Sequence, residues 1–422
     1  MSMNPRKIAY GLLEEWETKK SFPNLALKTA LRKVADERDR RFITALVYGV
    51  VERKITLDYF VDRFLEQKKI KPAVRCVLRM GVYQMFYMNI PSSAACNTSV
   101  ELIKARGFTP FSGLVNAILR KCDQERETLL QMKKVDFSVR YSIEPQLVNL
   151  LLDQYGKTAF VEMMESMKAP DTSMFLYHNP KKGSETLFIE QMKQEGCTLE
   201  KTEIAHLFKS KNGFFPENSE SFRKGWYHVV GYHSAEAASL LQEGAEVIYD
   251  LCAAPGGKTF ILAALTDRNV YSFDIHPHKI QLLAKEAERL GHQNVVPAQN
   301  DGTVLLCDRM NTADFVICDV PCSGLGMMAK KPDIKYKNYI SSEFTDVQYA
   351  ILRNGAAYLK KGGRLVYSTC TIDRRENEML IEHFLQEYPE FSKDTSVLKQ
   401  GEKLYLPSFG GDGFYIAVFK KD

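Results

Sequence analysis

From about residue 244 onward, short runs rich in β-branched and aromatic residues alternate with stretches of helical periodicity, and this alternation restricts the fold more than any other feature. Strands are predicted at 247–251, 270–274, 294–297, 314–319 and 364–369, and helices at 258–265, 277–290, 343–359 and 376–387. The expected architecture is an α/β, Rossmann-like doubly wound parallel sheet, with Gly413-Phe-Tyr-Ile-Ala-Val-Phe419 as an antiparallel closing strand. Sheets of this kind bind ligands in the crevice beyond the carboxyl ends of their strands.

Several of these strand ends carry chemistry. Val247-Ile-Tyr-Asp-Leu251 runs into Cys252-Ala-Ala-Pro-Gly-Gly-Lys-Thr259 and then a helix. The Pro255-Gly256-Gly257 turn lets backbone approach a ligand, and the helix start offers free amides, which suits a nucleotide-like cofactor. A tight turn without a ligand and a P-loop are the rival readings. The P-loop requires a glycine where Cys252 stands and gives Asp250 and Pro255 no part in cradling phosphate. Asp274 ends the second strand, where a carboxylate accepts ribose hydroxyls or caps the following helix. Asp301, in the turn Asn300-Asp301-Gly302, is ordinary turn chemistry by itself. In a succession of strand-end acids it meets an adenine amino group.

Two further strands deliver cysteines. Phe315-Val-Ile-Cys-Asp319 leads into Val320-Pro-Cys-Ser-Gly324, and Leu365-Val-Tyr-Ser-Thr-Cys-Thr371 ends at Cys370. Strand-end thiols followed by polar residues are candidate nucleophiles, so Cys322 and Cys370 are expected to share one cleft. Cys252, Cys307 and Cys318 read instead as buried, inert thiols. The nine cysteines are never spaced C-x-x-C, which indicates neither a disulfide framework nor a metal site. No apolar run approaches the ~20 residues of a membrane span and no signal-peptide core opens the chain, so the expected location is cytoplasmic.

Ahead of residue 244 the pattern is different. Ile8, Leu12 and Trp16, then Ile43, Leu46, Val47, Val50 and Val51, then Val74, Val77 and Leu78, and finally Leu114, Val115, Ile118 and Leu119 repeat with amphipathic-helix periods broken near Pro72, Pro91 and Pro110. A helical bundle through about residue 125 follows, with Arg38, Arg40, Arg41, Arg53, Lys54, Lys68, Lys69, Lys71, Arg75 and Arg79 assigned to its polar faces. Residues 1–134 hold 25 Lys and Arg against 14 Asp and Glu, an excess above the +5 of the whole chain, so the remainder is net acidic. A polyanion such as nucleic acid is the natural partner, a solvated basic surface the plain alternative. Residues 141–240 mix helical and β-like runs into a small α+β module. The expected division is a helical RNA-binding domain at 1–128, a linker and small RRM-like module at 129–240, and the catalytic domain at 241–422.

In order and spacing, Asp250-Leu-Cys-Ala-Ala-Pro-Gly-Gly-Lys-Thr259, Asp319-Val-Pro-Cys-Ser-Gly324, Lys331-Pro-Asp-Ile-Lys335, Ser368-Thr-Cys-Thr371 with Glu376-Asn377-Glu378, and Asp412-Gly-Phe414 resemble the S-adenosylmethionine-dependent RNA cytosine-C5 methyltransferases of the Sun/Nop type, most closely the RsmB-like rRNA enzymes. The front 125 residues resemble a NusB-like bundle. The pattern departs from the family at Asn300, where glycine is usual, at Arg374, where proline is usual, and at Val230-Gly231, where a Gln-Asp pair is usual.

The resemblance implies transfer of methyl from S-adenosylmethionine to cytosine C5 of RNA, with 16S rRNA as the expected target. Cys370 is implied as the nucleophile that adds to C6, Cys322 as the group tied to product release, and Asp319 as the group holding the cytosine edge. The implied cofactor site comprises Cys252, Ala253, Ala254, Pro255, Gly256, Gly257, Lys258, Asp274, Asp301 and Asp319, with no metal, in a monomer. The alternatives are Cys322 as the attacking thiol, a tRNA target, or an inactive RNA-binding assembly factor.

Overall fold

The computed structural model describes residues 4–19, 23–66, 69–132, 135–168, 173–211, 214–338, 342–407 and 411–422; Lys68 lies outside the described residues. Two compact units are present, residues 1–156 with 331–338, and residues 157–330 with 339–422.

The first unit is all-α. Helices α1 (Pro5–Lys19), α2 (Pro23–Leu31), α3 (Glu37–Glu52), α4 (Lys54–Asp62), α5 (Pro72–Tyr87), α6 (Ser92–Ala105) and α7 (Ser112–Gln124) enclose a core that includes Tyr10, Ile43, Val47, Phe60, Val77 and Ile118. Asp36 starts α3 by accepting hydrogen bonds from the amides of Arg38 (2.6 Å) and Asp39 (3.3 Å), a cap worth about 1 kcal/mol. Helix α5 is buried almost all round, and this corrects the reading of two of its arginines as surface phosphate contacts. Arg79 pairs with Asp58 at 2.7 Å and with Glu17, while Arg75 reaches Asp58 at 3.1 Å and Asp62 at 2.7 Å. A guanidinium enclosed this way is tolerated only because carboxylates offset its desolvation. Lys54 lies over the rings of Trp16 (5.5 Å) and Tyr336 (5.3 Å), whereas Arg38, Arg40, Arg41, Lys69 and Lys71 remain exposed.

Residues 331–338, between two strands of the catalytic sheet in the chain, belong to this helical unit. Where α3 gives way to α4, the helix ends leave backbone groups without helical partners. The Tyr336 hydroxyl donates to Glu52 O at 2.8 Å and accepts from the Lys54 amide at 3.2 Å, closing that junction.

In the second unit, β1 (Phe175–His178), β2 (Leu199–Lys201), β3 (Leu207–Ser210) and β4 (Tyr227–Val229) form an antiparallel sheet of order β2-β3-β1-β4. The larger sheet holds β5 (Ile248–Asp250), β6 (Val270–Asp274), β7 (Val295–Gln299), β8 (Ala313–Asp319), β9 (Leu359–Thr369), β10 (Phe391–Lys393), β11 (Glu402–Tyr405) and β12 (Phe414–Lys421). Its order is β10-β12-β9-β8-β5-β6-β7, with β11 paired to β12. Strands β5 to β9 pair in parallel and β12 runs antiparallel to β9. Because β5 lies between β6 and β8, strand progression reverses there, and the crevice outside β5 and β8 is where such sheets hold ligands. Helices Gly257–Leu265 and Pro277–Leu290 cover one face around Ile261 and Leu283, and Ser342–Tyr358 and Glu378–Glu387 cover the other around Leu352 and Phe384. The small sheet packs on the first face: Tyr177 and Val230 share the core with Ile261, and Asn179 donates to Leu290 O at 2.8 Å.

Candidate active site

Asp250, the last residue of β5, is buried at the switch point. Thr259 Oγ1 donates to its Oδ2 at 2.7 Å, and among the described residues its Oδ1 has no hydrogen-bond partner. Burial, aided by the charge of Asp319, pushes its carboxyl up to about 7. The following loop is held by backbone bonds from Ala253 N to Phe273 O (2.7 Å) and from Gly256 N to Ala253 O (2.8 Å). Gly256 has φ +112°, and a Cβ there would lie 2.3 Å from the Phe260 ring, so only glycine fits. The helix beginning at Gly257 has no side-chain cap, which leaves its first amides facing the crevice.

Lys258 is almost fully enclosed, and its charge is spent on one neighbour. Its Nζ stands 2.6 Å from Asp319 Oδ2 and 3.3 Å from Ser234 Oγ. The Ser368 hydroxyl donates to Asp319 Oδ1 at 2.7 Å. Both oxygens of Asp319 are therefore oriented, one from β9 and one from the ligand loop. Asp274 Oδ1 accepts from His276 N at 2.9 Å, and Asp301 Oδ1 accepts from the Thr303 amide (2.9 Å) and hydroxyl (2.7 Å), so each acid also shapes its own turn. Asn300 N donates to Asp274 O at 3.1 Å, which joins the ends of β6 and β7.

Beyond β8 and β9 the two cysteines meet. Cys322 Sγ and Cys370 Sγ are 3.2 Å apart, both half-buried. The hydrogen bond to Cys370 and then burial hold the Cys322 thiol far above its ordinary range, which suits Cys322 to remain a thiol beside its neighbour. A thiolate that accepts a hydrogen bond is stabilised without losing its exposed lone pairs. Cys318 is buried as the sequence suggested, whereas Cys252 is only half-buried at the edge of the core; desolvation raises both thiols. Cys307 is not buried: it is exposed in a single turn, Cys307–Arg309, between β7 and β8, away from either core.

Behind the thiols lies a buried polar network. Glu376 Oε2 accepts from Ser323 N at 3.0 Å and Gln348 Nε2 at 2.7 Å, and Ser323 Oγ lies 2.7 Å from Thr371 Oγ1. Asn377 Nδ2 donates to Thr371 O at 3.1 Å, and Thr369 Oγ1 donates to Asn377 Oδ1 at 2.7 Å. The loop after β8 is held further by Gly326 N donating to Cys370 O at 3.1 Å and Gly413 N donating to Gly326 O at 2.9 Å. Sequence reading missed Gln348 and Ser234, and it placed Ser368 in the Ser368-Thr-Cys-Thr371 motif without its bond to Asp319. Of the family departures, Arg374 pairs with Glu378 at 3.5 Å, and Val230 closes on the ligand loop, with its Cγ2 3.5 Å from where a Cβ on Gly257 would stand.

A switch-point sheet with a glycine loop, strand-end acids and a thiol pair defines a class I methyltransferase, here with an added helical unit. The model of the family 16S rRNA methyltransferase RsmB/F matches residues 237–420, and that of the NusB family matches residues 3–124. The probable ribosomal RNA small subunit methyltransferase B of Bacillus subtilis is 34% identical over 99% of this chain and 98% of its own. Its Synechocystis counterpart is 32% identical over 99% and 100%. The chain belongs to this family of ribosomal RNA small subunit methyltransferases, and membership implies S-adenosylmethionine as the cofactor. The fold is shared with the crystal structure of PH0851, at TM-score 0.80, 23% identity and full coverage of both chains, and with NSun6 from Pyrococcus horikoshii, at TM-score 0.58, 18% identity, 66% of this chain and 98% of that one. Among the described residues, no helix is long and apolar enough to cross a membrane and no cluster of three or more His, Cys, Asp or Glu could hold a metal.

Proposed function

We propose that the chain methylates C5 of a cytosine in 16S rRNA through a transient bond between Cys370 Sγ and C6 of the base, acting as a cytoplasmic monomer. The observation that carries this reading is the Cys322–Cys370 contact at 3.2 Å, at strand ends neighbouring an oriented Asp319. The crevice fits the cofactor: a glycine-lined turn with uncapped amides, an orphaned carboxylate oxygen on Asp250, and the acids Asp274 and Asp301 at successive strand ends. Residues Cys252 to Lys258, with Asp274, Asp301 and Asp319, would hold it. When bound, its sulfonium supplies an electrophilic methyl group.

Cytosine C5 alone is too weakly nucleophilic to take that methyl. Addition of the Cys370 thiolate to C6 breaks the C5–C6 π bond and moves its electron pair to C5, with density shared toward N3. Asp319 accepts from the exocyclic amine, and Lys258 beside it offsets the charge that grows on the ring. After transfer, a base removes the C5 proton, the electron pair reforms the double bond, and the C6–S bond breaks. Cys322, in reach of the departing sulfur, donates its hydrogen bond to the returning thiolate. The base must be unstacked to meet Cys370, so the substrate segment is single-stranded or flipped. In this division of labour residues 1–128 grip RNA, 129–240 guide it, and 241–422 perform the chemistry.

Denaturing gels of enzyme mixed with 16S rRNA and cofactor test the reading. Cys370→Ala is expected to form no covalent RNA adduct and Cys322→Ala to accumulate one; the reverse pattern exchanges the two roles. Bisulfite mapping of ribosomal and transfer RNA from a strain lacking the gene identifies the target, and loss confined to transfer RNA overturns the 16S assignment.

A further inference from the structure

The backbone on either side of Cys322 is bonded by side chains that touch neither sulfur. Gln348 lies in helix Ser342–Tyr358 and is fully enclosed. Its carboxamide nitrogen donates twice, to Pro321 O at 2.9 Å and to Glu376 Oε2 at 2.7 Å. Pro321 precedes Cys322, and Ser323, whose amide donates to the same Glu376 oxygen at 3.0 Å, follows it. The peptide groups on both sides of Cys322 are therefore fixed by one carboxamide–carboxylate pair. The other Glu376 oxygen faces Thr371 Oγ1 at 3.4 Å, and Thr371 follows Cys370. A single buried carboxylate thus ties the loop of one cysteine to the loop of the other, and Gln348 holds that carboxylate in place.

A carboxylate enclosed in protein keeps one geometry only while its donors are present. Gln348 supplies the second donor to that oxygen beside the Ser323 amide, and it arrives from helix Ser342–Tyr358 rather than from either cysteine loop. We propose that Gln348 is a positioning residue for methyl transfer: through Glu376 and Pro321 it keeps the Cys322 thiol within hydrogen-bond reach of Cys370. The inference rests on the covalent reading above. It assigns Gln348 no contact with RNA or cofactor. The titratable groups facing Cys322 include Cys370, Glu376 and the buried Tyr367, and the clamp acts on it through the first two.

The test is Gln348→Met, which keeps volume and removes both donors, in the full chain. With the clamp gone, Cys370 loses its hydrogen-bond donor, and the pH midpoint of its alkylation by iodoacetamide is expected to rise. Single-turnover methylation slows roughly tenfold to a hundredfold with KM for RNA unchanged, as expected for a displacement of about 1 Å. Thr371→Val, which removes the hydroxyl that faces the other Glu376 oxygen but leaves both Gln348 bonds, shifts the midpoint the same way by less and serves if Gln348→Met does not fold. An unshifted midpoint in the folded Gln348→Met protein, or in Thr371→Val if that alone folds, overturns the inference. A rise in KM with kcat intact also overturns it. Failure of Cys322→Ala to accumulate an RNA adduct strikes the covalent reading instead, since the alkylation profile does not depend on it.

Discussion

The helical unit and the α/β unit bury the same kinds of side chain and put them to opposite ends. In the bundle, Cys76 and Cys122 are enclosed by apolar neighbours, and burial holds both thiols protonated, that of Cys122 pushed up to about 12. Arg79, equally enclosed, is matched by Asp58 and Glu17. In the α/β unit, Cys370 and Lys258 also have near neighbours, but those neighbours are Cys322 and Asp319, each set at a strand end beside the ligand crevice. A buried polar group whose partners close around it stabilises. One whose partner stands at an open strand end is placed to meet a ligand.

The thiols break this comparison most sharply. Cys370→Ala should lower the methylation rate by roughly 10⁴-fold or more, whereas Cys76→Ala should leave the rate per folded molecule unchanged and cost about 1 kcal/mol in denaturant unfolding. Next comes Arg79→Met. Removing the cation leaves Asp58 and Glu17 without it in a buried layer, and urea titration should show a loss of about 3–5 kcal/mol in the bundle. Lys258→Met, the matching change in the catalytic unit, should cost little stability. It should slow single-turnover methylation roughly a hundredfold, because Asp319 loses its orientation and the ring its counter-charge.

The last test concerns Asp250 and reads only a pH dependence. Its folded carboxyl is raised to about 7 from 3.8 by burial, so protonation favours the folded state. That contribution is fully present below 3.8 and is lost as pH rises through 7. Without cofactor, the wild-type melting temperature relative to Asp250→Asn should therefore fall between about pH 4 and pH 7 in scanning fluorimetry. His228, whose Nε2 lies 3.1 Å from Gly257 O, is lowered to about 4 by burial and acts in the opposite direction, but it is common to both proteins and cancels in the difference.

What could be read from the chain follows from how local each signal is. Strand β6 and the helix Pro277–Leu290 fall where expected because each has a full period of apolar residues bounded by Asp274 and by Gly291 at φ +76°. The short strands β10 and β11 exist only because β12 offers an edge to pair with, so nothing in their own residues announced them. Cys370, Cys322 and the Cys252–Lys258 loop were legible as strand-end residues followed by turn chemistry. Gln348 was not, since a glutamine in an amphipathic helix reads as surface until the Glu376 loop is seen beneath it. The same ambiguity placed Arg75 and Arg79 on a polar face that helix α5 does not have.

The approach of Gly413 to Gly326 bears on when the enzyme can first work. A Cβ on Gly326 would fall 2.1 Å from Gly413 O, so the loop carrying Cys322 rests directly on backbone translated almost a hundred residues later. Strand β12, which lies along β9 as far as Thr369, is translated later still. A ribosome-bound chain that has exposed both cysteines therefore holds them on an unfinished wall. The wall behind the two thiols is complete only when residues 413–421 are in place.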